Sequence, residues 1–346
     1  EGVQEVSNGS FSQEGSELVT NGDFQNGSTS WILDNGWSVS DDKALCNGTN
    51  LAYITQTAVL TTGKSYKVQF DIVDYTSGSI KYRDNGFVSG QSFSEVGSYT
   101  DYVVAGGGQF RLMSENFIGS IDNVSVKEVG QDWTLGTGWS IAENKVVASG
   151  VASNLSQIIL TSGASYKLTY EVLTSDNNTL LGYFGGNISI SIPSTVGTHT
   201  VYGVSDGAYF VLRNGGFDGS ITNISVKEVG QNWALGTGFS IGENVAIYDD
   251  SANGNLSQNK TFTSNKKYNI SFEIKSGSGS IAFLSSNGVT TYVGYATYGI
   301  GTHSVVFDYT TGSGFGVFAS SFLGGAFSIT NISVLEITDD TNLPRI

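Results

Sequence analysis

Few residues of this chain could do acid–base chemistry, and the carboxylates among them are poorly placed for it. The adjacent pairs Asp41/Asp42 and Asp249/Asp250 lie in segments of loop-like composition. Glycoside hydrolysis needs two carboxylates that face one cleft. Neighbouring side chains on an extended chain point to opposite sides. These pairs therefore do not predict a glycosidase.

The two histidines are equally unpromising as general bases. His199 and His303 occupy equivalent positions after a Gly-Thr pair, where an earlier copy of the same pattern has Tyr99. The sequence shows no Ser/His/Asp arrangement, no His cluster with metal-ligand spacing and no phosphate-binding Gly loop between a strand and a helix. We therefore expect the chain not to be an enzyme.

Aromatic side chains could instead bind sugars, because flat rings pack against the apolar faces of sugars while amides and carboxylates bind the hydroxyl groups. The run Tyr292, Tyr295 and Tyr298 forms the most exposed-looking cluster and is the first choice for a contact surface. The further candidates are Tyr53, Tyr82, Trp37, Tyr183, Phe184 and Trp139.

Core packing is the competing interpretation for these aromatic residues. Trp31, Trp133 and Trp233 recur in register, as residues of a repeated core do, and Trp37 and Trp139 are replaced by Phe239 in a third copy. Both interpretations stay open for each candidate ring.

The charge balance bears on the partners. The chain has 16 Lys+Arg against 31 Asp+Glu, a net charge of −15, which repels a phosphate backbone and disfavours an anionic bilayer. We expect no nucleic-acid partner and, without a long apolar run, no membrane insertion. The single cysteine, Cys46, cannot form an internal disulfide and is expected to be a small buried hydrophobe. An acidic, polar surface is common in extracellular and particle-surface proteins.

An internal repeat organises the chain. GSIDNVSVKEVGQDW over Gly119–Trp133 returns as GSITNISVKEVGQNW over Gly219–Trp233, and FSITNISVLEIT follows at Phe327–Thr338. Repeats of this kind reflect tandem copies of one structural unit. We predict a module at residues 17–129, a second at 130–229 and a third at 230–338. Residues 1–16 form an N-terminal extension and residues 339–346 a C-terminal tail, and both are expected to be peripheral and less ordered.

Each module is predicted to be all-β. In Tyr66–Ile72 apolar and polar residues alternate, and the alternation recurs from Tyr166 and from Tyr268. A period of two places one face in a core and the other toward water. With 46 Gly and 2 Pro, the chain has the turn signals of many short antiparallel strands, and no helical period with caps is evident. We predict three tandem antiparallel β-sandwiches of the jelly-roll type.

The junctions between modules are short. Only Gly130 and Gln131 separate the closing strand Val124–Val129 from the segment of Trp133 that opens the next module. Linkers of this length leave little slack. We expect the modules to stack as a fairly stiff rod.

The opening NGDF at Asn21–Phe24 with Trp31, and the closing IDNVSV at Ile121–Val126, resemble those of carbohydrate-binding modules of the family 4/9/22 type. The resemblance extends over nearly the whole chain, three times, and implies a jelly-roll fold. It implies carbohydrate as the ligand class less specifically, because fold analogy does not decide function.

The chain also resembles the long repetitive fibre and decoration proteins of tailed bacteriophages, particularly those of marine and Bacteroidota hosts. The strings that carry this resemblance are SELVTNGDFQNGST, WTLGTGWSIAENK and DNVSVKEVGQDW. It implies a virion-surface or extracellular location, with other virion proteins or further copies of the chain as partners.

The resemblance to carbohydrate-binding modules also implies a structural calcium ion. Asn21, Asp23 and Asp122 match the positions between the opening segment and the closing strand where the family often holds Ca²⁺, which prefers oxygen ligands. Thr222 and Thr330 replace Asp122 in the later modules, so Ca²⁺ is expected in module one only. An Asx turn and a carboxylate that stabilises a bulge are the alternative explanation of these residues, and the spacing break between Ile121 and Val124 predicts a bulge in either case.

Together these observations predict a non-catalytic virion-surface fibre or decoration protein whose modules contact host-surface glycans. A purely structural spacer rod is one alternative. The other is a set of accessory binding modules in a secreted bacterial polysaccharide-degrading enzyme or adhesin.

Overall fold

The computed structural model describes residues 1–187 and 189–338, and all regular structure in these ranges is β. The predicted tail, residues 339–346, lies outside the described residues. Module one contains β1 (Glu14–Glu17), β2 (Ile32–Leu33), β3 (Trp37–Ser40), β4 (Lys43–Asn47), β5 (Tyr53–Gln56), β6 (Ser65–Arg83), β7 (Ser89–Phe93), β8 (Gly97–Val104) and β9 (Phe110–Val129).

Modules two and three repeat this arrangement with shorter strands. Module two contains β10 (Thr134–Leu135), β11 (Trp139–Ala142), β12 (Lys145–Ser149), β13 (Ser153–Ile158), β14 (Ser165–Ser175), β15 (Thr179–Phe184), β16 (Ser189–Ile192), β17 (Gly197–Val204), β18 (Tyr209–Gly215) and β19 (Asp218–Val229). Module three contains β20 (Ala234–Leu235), β21 (Phe239–Gly242), β22 (Val245–Tyr248), β23 (Gly254–Gln258), β24 (Lys266–Gly277), β25 (Gly279–Leu284), β26 (Thr291–Tyr298), β27 (Gly301–Tyr309), β28 (Phe315–Ala319) and β29 (Phe327–Ile337).

Each module is a sandwich of two antiparallel layers. Module two pairs its strands in the orders β10-β13-β18-β15-β16 and β11-β12-β19-β14-β17. Module three has the same two orders, β20-β23-β28-β25-β26 and β21-β22-β29-β24-β27. In module one the long strands β6 and β9 continue through both layers and join them into one nine-stranded sheet. The predicted tandem β-sandwich fold is confirmed.

The alternating segments form the cores as predicted. Tyr66, Phe70, Tyr166, Tyr170, Tyr268 and Phe272 are all at most 5% exposed. A buried tyrosine needs a partner for its hydroxyl group. The Tyr66 hydroxyl accepts a hydrogen bond from the Thr61 amide, and the equivalent bonds form in modules two and three. Cys46 is buried, as expected.

A bulge interrupts the closing strand of every module. The β6–β9 register shifts between Asp71 and Gln69, opposite Asn123, which adopts a left-handed φ of 52°. Asparagine tolerates this conformation better than most residues. Its side-chain amide also donates to the Asp71 carboxylate at 2.7 Å. Asn223 and Asn331 repeat both features, so the Asn of the repeated motif has a structural role.

Neighbouring modules contact each other directly. Strand β8 of module one contacts β11 of module two, and β17 contacts β21 in the corresponding way at the next junction. The side chain of Tyr102 packs against the core of module two. The repeated contact supports a defined arrangement at both junctions.

The expectation that the first 16 residues are peripheral is wrong. Glu14–Glu17 forms β1, which pairs with β9 in module one. The residues before it pack on module two, where Val6 and Phe11 are 5% and 2% exposed within the core. Burial of these apolar side chains stabilises the ordered segment. We call residues 14–26 strap one and residues 1–13 strap two.

Candidate functional site

Several aromatic residues predicted as sugar contacts belong to the cores instead. Trp37, Trp139, Phe184 and Tyr82 are at most 6% exposed. The Tyr82 hydroxyl donates to the carboxylate of Asp84 at 3.1 Å. Burial, followed by the nearby Asp84 charge, raises the pKa of Tyr82 far above its ordinary value. The core interpretation therefore holds for these four residues, whose strand faces point into the sandwich, and Tyr82 is not accessible to a sugar.

The three tyrosines of β26 do not form one exposed surface. Tyr292 packs against Phe307 at a ring-centroid distance of 5.0 Å, and Tyr298 packs against Phe272 at 5.0 Å. Burial raises the pKa of Tyr292 to about 12. Tyr295 alone is well exposed, at 49%. The register between β25 and β26 shifts on both sides of Phe283, so β26 is irregular near Tyr295, and this ring lies away from the core that Tyr292 and Tyr298 contact.

Tyr53 and Tyr183 remain accessible, since both are half-buried strand residues. Tyr53 has the more elaborate surroundings. It lies on β5, where the next residue, Ile54, is fully buried, so Tyr53 faces outward. The guanidinium carbon of Arg111 lies 5.2 Å from the centre of the Tyr53 ring, within the range of a cation–π contact.

Polar groups flank Tyr53 on the same outer face. Strand register places Met113 of β9 opposite both Tyr53 and Lys81, so that these residues form one row across three strands. Lys81 lies between two buried residues of β6 and therefore points outward with Tyr53. We define the module-one face as Tyr53, Lys81, Arg111 and Glu115.

Glu115 connects this face through hydrogen bonds. Its carboxylate forms an ion pair with Lys81 and accepts from Ser79 Oγ at 2.8 Å and Ser92 Oγ at 2.9 Å. The hydrogen bond from Lys81 is the main reason that the pKa of Glu115 is lowered, so the group stays charged. An aromatic ring beside oriented charged donors and acceptors suits the mixed apolar and hydroxyl surface of a sugar.

Arg111, Lys81 and Glu115 were not among the residues predicted from sequence. Their alternation with Leu112 and other buried residues would have placed them on the outer face, but not beside Tyr53. Phe110, Phe210 and Phe315 are equivalent, because they pair with the equivalent residues Gln56, Gln157 and Gln258. The residues that follow them, Arg111, Val211 and Gly316, are therefore equivalent too. The module-one face is therefore not repeated along the chain.

The histidines have the same local role as the tyrosine that replaces them. Nε2 of His199 lies 2.6 Å from the Thr195 carbonyl, and Nε2 of His303 lies 2.7 Å from the Gly299 carbonyl. The Tyr99 hydroxyl donates to the carbonyl of Glu95 at 2.8 Å, also four residues back. These contacts fasten equivalent turns, which accounts for the three residues without acid–base chemistry.

The predicted calcium ligands are only partly assembled. The Asn21 amide oxygen accepts from the amide of Asn26 at 3.0 Å, in a local loop. Burial, and then the carboxylates of Asp71 and Asp23, raise the pKa of Asp122. Within residues 1–187 and 189–338 no three acidic, His or Cys side chains converge closely enough to hold a metal. Calcium binding at Asn21, Asp23 and Asp122 stays a prediction.

No helix in the described residues is long and apolar enough to cross a membrane. No family model matches the sequence. No curated protein matches it either.

Comparison with solved structures finds jelly-roll proteins of low similarity. One is the N-terminal tandem domain CBM22-1–CBM22-2 of Paenibacillus barcinonensis Xyn10C, with 8% identity, a TM-score of 0.26 and coverage of 94% of this chain and 99% of that one. A structure of Sulfolobus Turreted Icosahedral Virus matches with 11% identity, a TM-score of 0.23 and coverage of 87% and 90%. A triple jelly-roll protein of an archaeal virus turret matches with 13% identity, a TM-score of 0.21 and coverage of 89% of each chain. Likenesses at this level carry no argument about function.

Proposed function

We propose that the chain is a non-catalytic fibre or decoration protein of a virion surface, and that it contacts host-surface glycans through module one. The observation that carries the glycan contact is the module-one face, where Arg111 lies over the ring of Tyr53 and the Lys81–Glu115 ion pair lies on the same face, across Met113. The virion location is supported by the resemblance of the repeated strings to phage fibre proteins and by the repeated module junctions.

The charges of the module-one face suit neutral or acidic sugars. Arg111 and Lys81 supply donors, whereas Glu115 already accepts hydrogen bonds from two serines and Lys81. We expect weak binding per site, since the face is open and carries a single platform ring. Useful attachment would come from many copies on one particle, because multivalency raises avidity without new contacts.

A structural spacer rod is the second candidate. The burial of Trp139 and Phe184 in module two, and the inward packing of Tyr292 and Tyr298 in module three, favour it for those two modules. The two functions are compatible within one chain if module one binds and the later modules set distance.

A glycan array probed with a multivalent form of the chain tests the proposal. Tyr53→Ala should lower binding by about tenfold, which is the effect of losing about 1.4 kcal/mol of ring contact. Tyr209→Ala is the matched control, because Tyr209 is an exposed strand tyrosine of module two. Tyr295→Ala tests the isolated ring of β26 in the same way.

Two results would contradict the proposal. Equal binding by wild type and Tyr53→Ala would exclude the module-one face. Failure of the wild-type multimer on a broad array that includes host envelope polysaccharide would favour the spacer rod. Immunogold labelling with an antibody against the chain tests the location separately. Label on the particle surface is expected, and label confined to a secreted polysaccharide-degrading enzyme would exclude the virion location.

A further inference from the structure

The two straps share a thirteen-residue pattern that the long repeat does not explain. Strap two reads EGVQEVSNGSFSQ and strap one reads EGSELVTNGDFQN. Glu-Gly, Val, Asn-Gly and Phe fall at the same places in each. The straps follow one another along the chain, yet strap one fastens to module one and strap two to module two.

Both straps bind the closing strand of their module through the same backbone hydrogen bonds. The glycine of each Asn-Gly pair lies against that strand, where a Cβ on Gly22 or Gly9 would stand 1.9 Å from a carbonyl oxygen. The hydrogen bonds, donor first, are Leu18–Val126 at 3.0 Å and Val124–Gly22 at 2.9 Å for strap one, and Glu5–Val226 at 2.8 Å and Ile224–Gly9 at 2.9 Å for strap two.

Side chains of the module hold each strap in the same way. The Trp133 indole donates to the Asn8 carbonyl at 3.1 Å, as Trp31 does to Asn21 at 2.8 Å. The side-chain amide of Gln157 donates to the carbonyl of Ser7 and accepts from its backbone N–H. Gln56 makes the same two hydrogen bonds with Thr20 of strap one. The strap phenylalanines, Phe11 and Phe24, both lie 5.3 Å from the tryptophan ring.

Module three has the same seat, with no described segment in it. A groove of about 630 Å³ lies between Trp233, Leu256 and Ile332. Trp233 is half-buried, whereas the equivalent Trp31 and Trp133 are 7% and 6% exposed.

No described segment covers the closing strand β29 on this side either. Val334 is half-buried, although Val126 and Val226 at the equivalent positions are fully buried. The next residue, Leu335, is 65% exposed. Gln258, which corresponds to the two strap-binding glutamines, is half-buried as well. Strand β22 pairs with β29 only at residues 327–329, so the edge of β29 beyond Ile329 is available on that side. Such an edge beside an apolar groove is a surface for an added extended segment.

The start of strap two lies at the rim of this groove. Glu1 lines it together with Lys167 and Glu243. Glu14, which begins strap one, lies at the equivalent place beside module two. The hydrogen bond with Glu14, and to a smaller extent the charge of Glu143, raises the pKa of Lys67. The hydrogen bond with Glu1, and to a smaller extent the charge of Glu243, raises the pKa of Lys167. In module two, the residues directly ahead of Glu14 fill the seat.

We propose that the groove of module three binds a third strap, an extended segment that would be joined to the amino group of Glu1. It would repeat Gly, Val, Asn-Gly and Phe at the positions that strap one and strap two share. Each strap would then lie one module further along than the strap that follows it in sequence. The proposal does not depend on glycan binding.

The seat in module three also defines how the third strap differs. The leading glutamates are held by lysine pairs, with Glu14 bonded to Lys67 at 2.7 Å and to Lys127 at 3.0 Å. In module three the paired residues at these positions are Asn269 and Leu335. A leading glutamate would lose its cations and lie against Leu335. The third strap should therefore begin with an apolar residue.

Binding of synthetic peptides to the full chain tests this inference. The probes are EGVQEVSNGSFSQ and the same peptide with leucine in place of the leading glutamate. The leucine peptide should bind more tightly by about fivefold or more, a change of about 1 kcal/mol. It should also shift the fluorescence of Trp233 to the blue, with Trp233→Phe identifying the signal.

The control peptide has valine in place of the glycine of the Asn-Gly pair. A side chain at this position would clash with a carbonyl oxygen of the closing strand. The control peptide should not bind. The double variant Asn269→Lys/Leu335→Lys should reverse the preference and select the peptide with leading glutamate.

Fusing the leucine peptide to the chain ahead of Glu1 makes its binding intramolecular and so raises its effective concentration at the groove. It should raise the melting temperature of module three, and the valine fusion should not. The proposal is overturned if neither peptide nor fusion changes Trp233 emission or melting, or if the valine form acts equally. Dimerisation of the unfused chain with the same shift at Trp233 would overturn it in favour of strap exchange between copies.

Discussion

The indole nitrogen of Trp133 donates a 3.1 Å hydrogen bond to the carbonyl of Asn8, a residue 125 positions earlier in the chain. The equivalent bond in module one joins Trp31 to Asn21 over only 10 positions. The same contact is thus made by a local segment in one module and by a distant one in the next. Module two is complete only when strap two is in place.

Removing the buried ring of strap two should destabilise module two. Phe11→Ala is expected to lower the free energy of unfolding of that module by about 3 kcal/mol, as for other buried phenylalanines. Calorimetry measures the loss, and Trp133 emission should shift to the red. Val3→Ala is the matched control, because Val3 is 77% exposed in the same strap. Identical melting of the two variants would show that strap two is not part of the module.

The core of module one should respond to a similar deletion. Phe70 packs against Phe93 at 5.6 Å and Tyr99 at 5.9 Å. Phe70→Ala should cost about 3–5 kcal/mol of unfolding free energy, measured by denaturant titration. Val96→Ala, at a site 64% exposed, should have little effect. A loss well under 1 kcal/mol for Phe70→Ala would contradict the described packing.

Tyr82 and Tyr53 should separate stability from binding. Tyr82→Phe removes a hydrogen bond to Asp84, a fully buried carboxylate that also accepts from Val88 N at 2.9 Å. It should cost about 1 kcal/mol of stability and leave glycan binding unchanged. Tyr53→Ala should weaken binding with a smaller effect on stability. Parallel thermal melts and array measurements on both variants check this, and loss of binding in Tyr82→Phe alone would reverse the assignment.

The acidic site of module one should show a pH dependence of known sign. Because the pKa of Asp122 is raised, the folded state holds its proton more tightly than the unfolded state. With chelator present, the contribution of this group to stability should fall as the pH rises above the ordinary aspartate pKa and through the raised value. Asp122→Asn should remove that dependence in thermal melts.

Calcium should stabilise module one through the ionised form of Asp122, whereas without calcium ionisation of Asp122 lowers stability. If Ca²⁺ binds at Asp23 and Asp122, it raises the melting temperature of the wild type, since a ligand of the native state stabilises it. Asp122→Asn should abolish the increase. A wild-type melting curve that is the same with saturating calcium and with chelator would exclude the site.

The burial of Tyr66 and Phe70, and of their equivalents in the other modules, was predictable from sequence. Strand side chains alternate with a strict period of two, and three copies in register separate core positions from variable surface positions. The bulge near Asn123 was expected for the same reason. These features depend on neighbours in sequence.

The pairing of Arg111 with Tyr53 could not be predicted in the same way. It depends on the register between β5 and β9, which joins strands that are far apart in the chain. Composition likewise did not separate Tyr295 from Tyr292, because the orientation of each ring depends on the face of β26 that meets the core. Burial is a property of the packed sandwich.

The repeat, the all-β class and the inward face of the main strands follow from the sequence alone, because each of these is a local pattern that occurs three times. The sequence also contains the shorter repeat of the straps, in which Glu1-Gly2 matches Glu14-Gly15. Which module each strap completes is visible only in the folded protein. That choice depends on hydrogen bonds such as Trp133–Asn8, between residues that folding alone brings together.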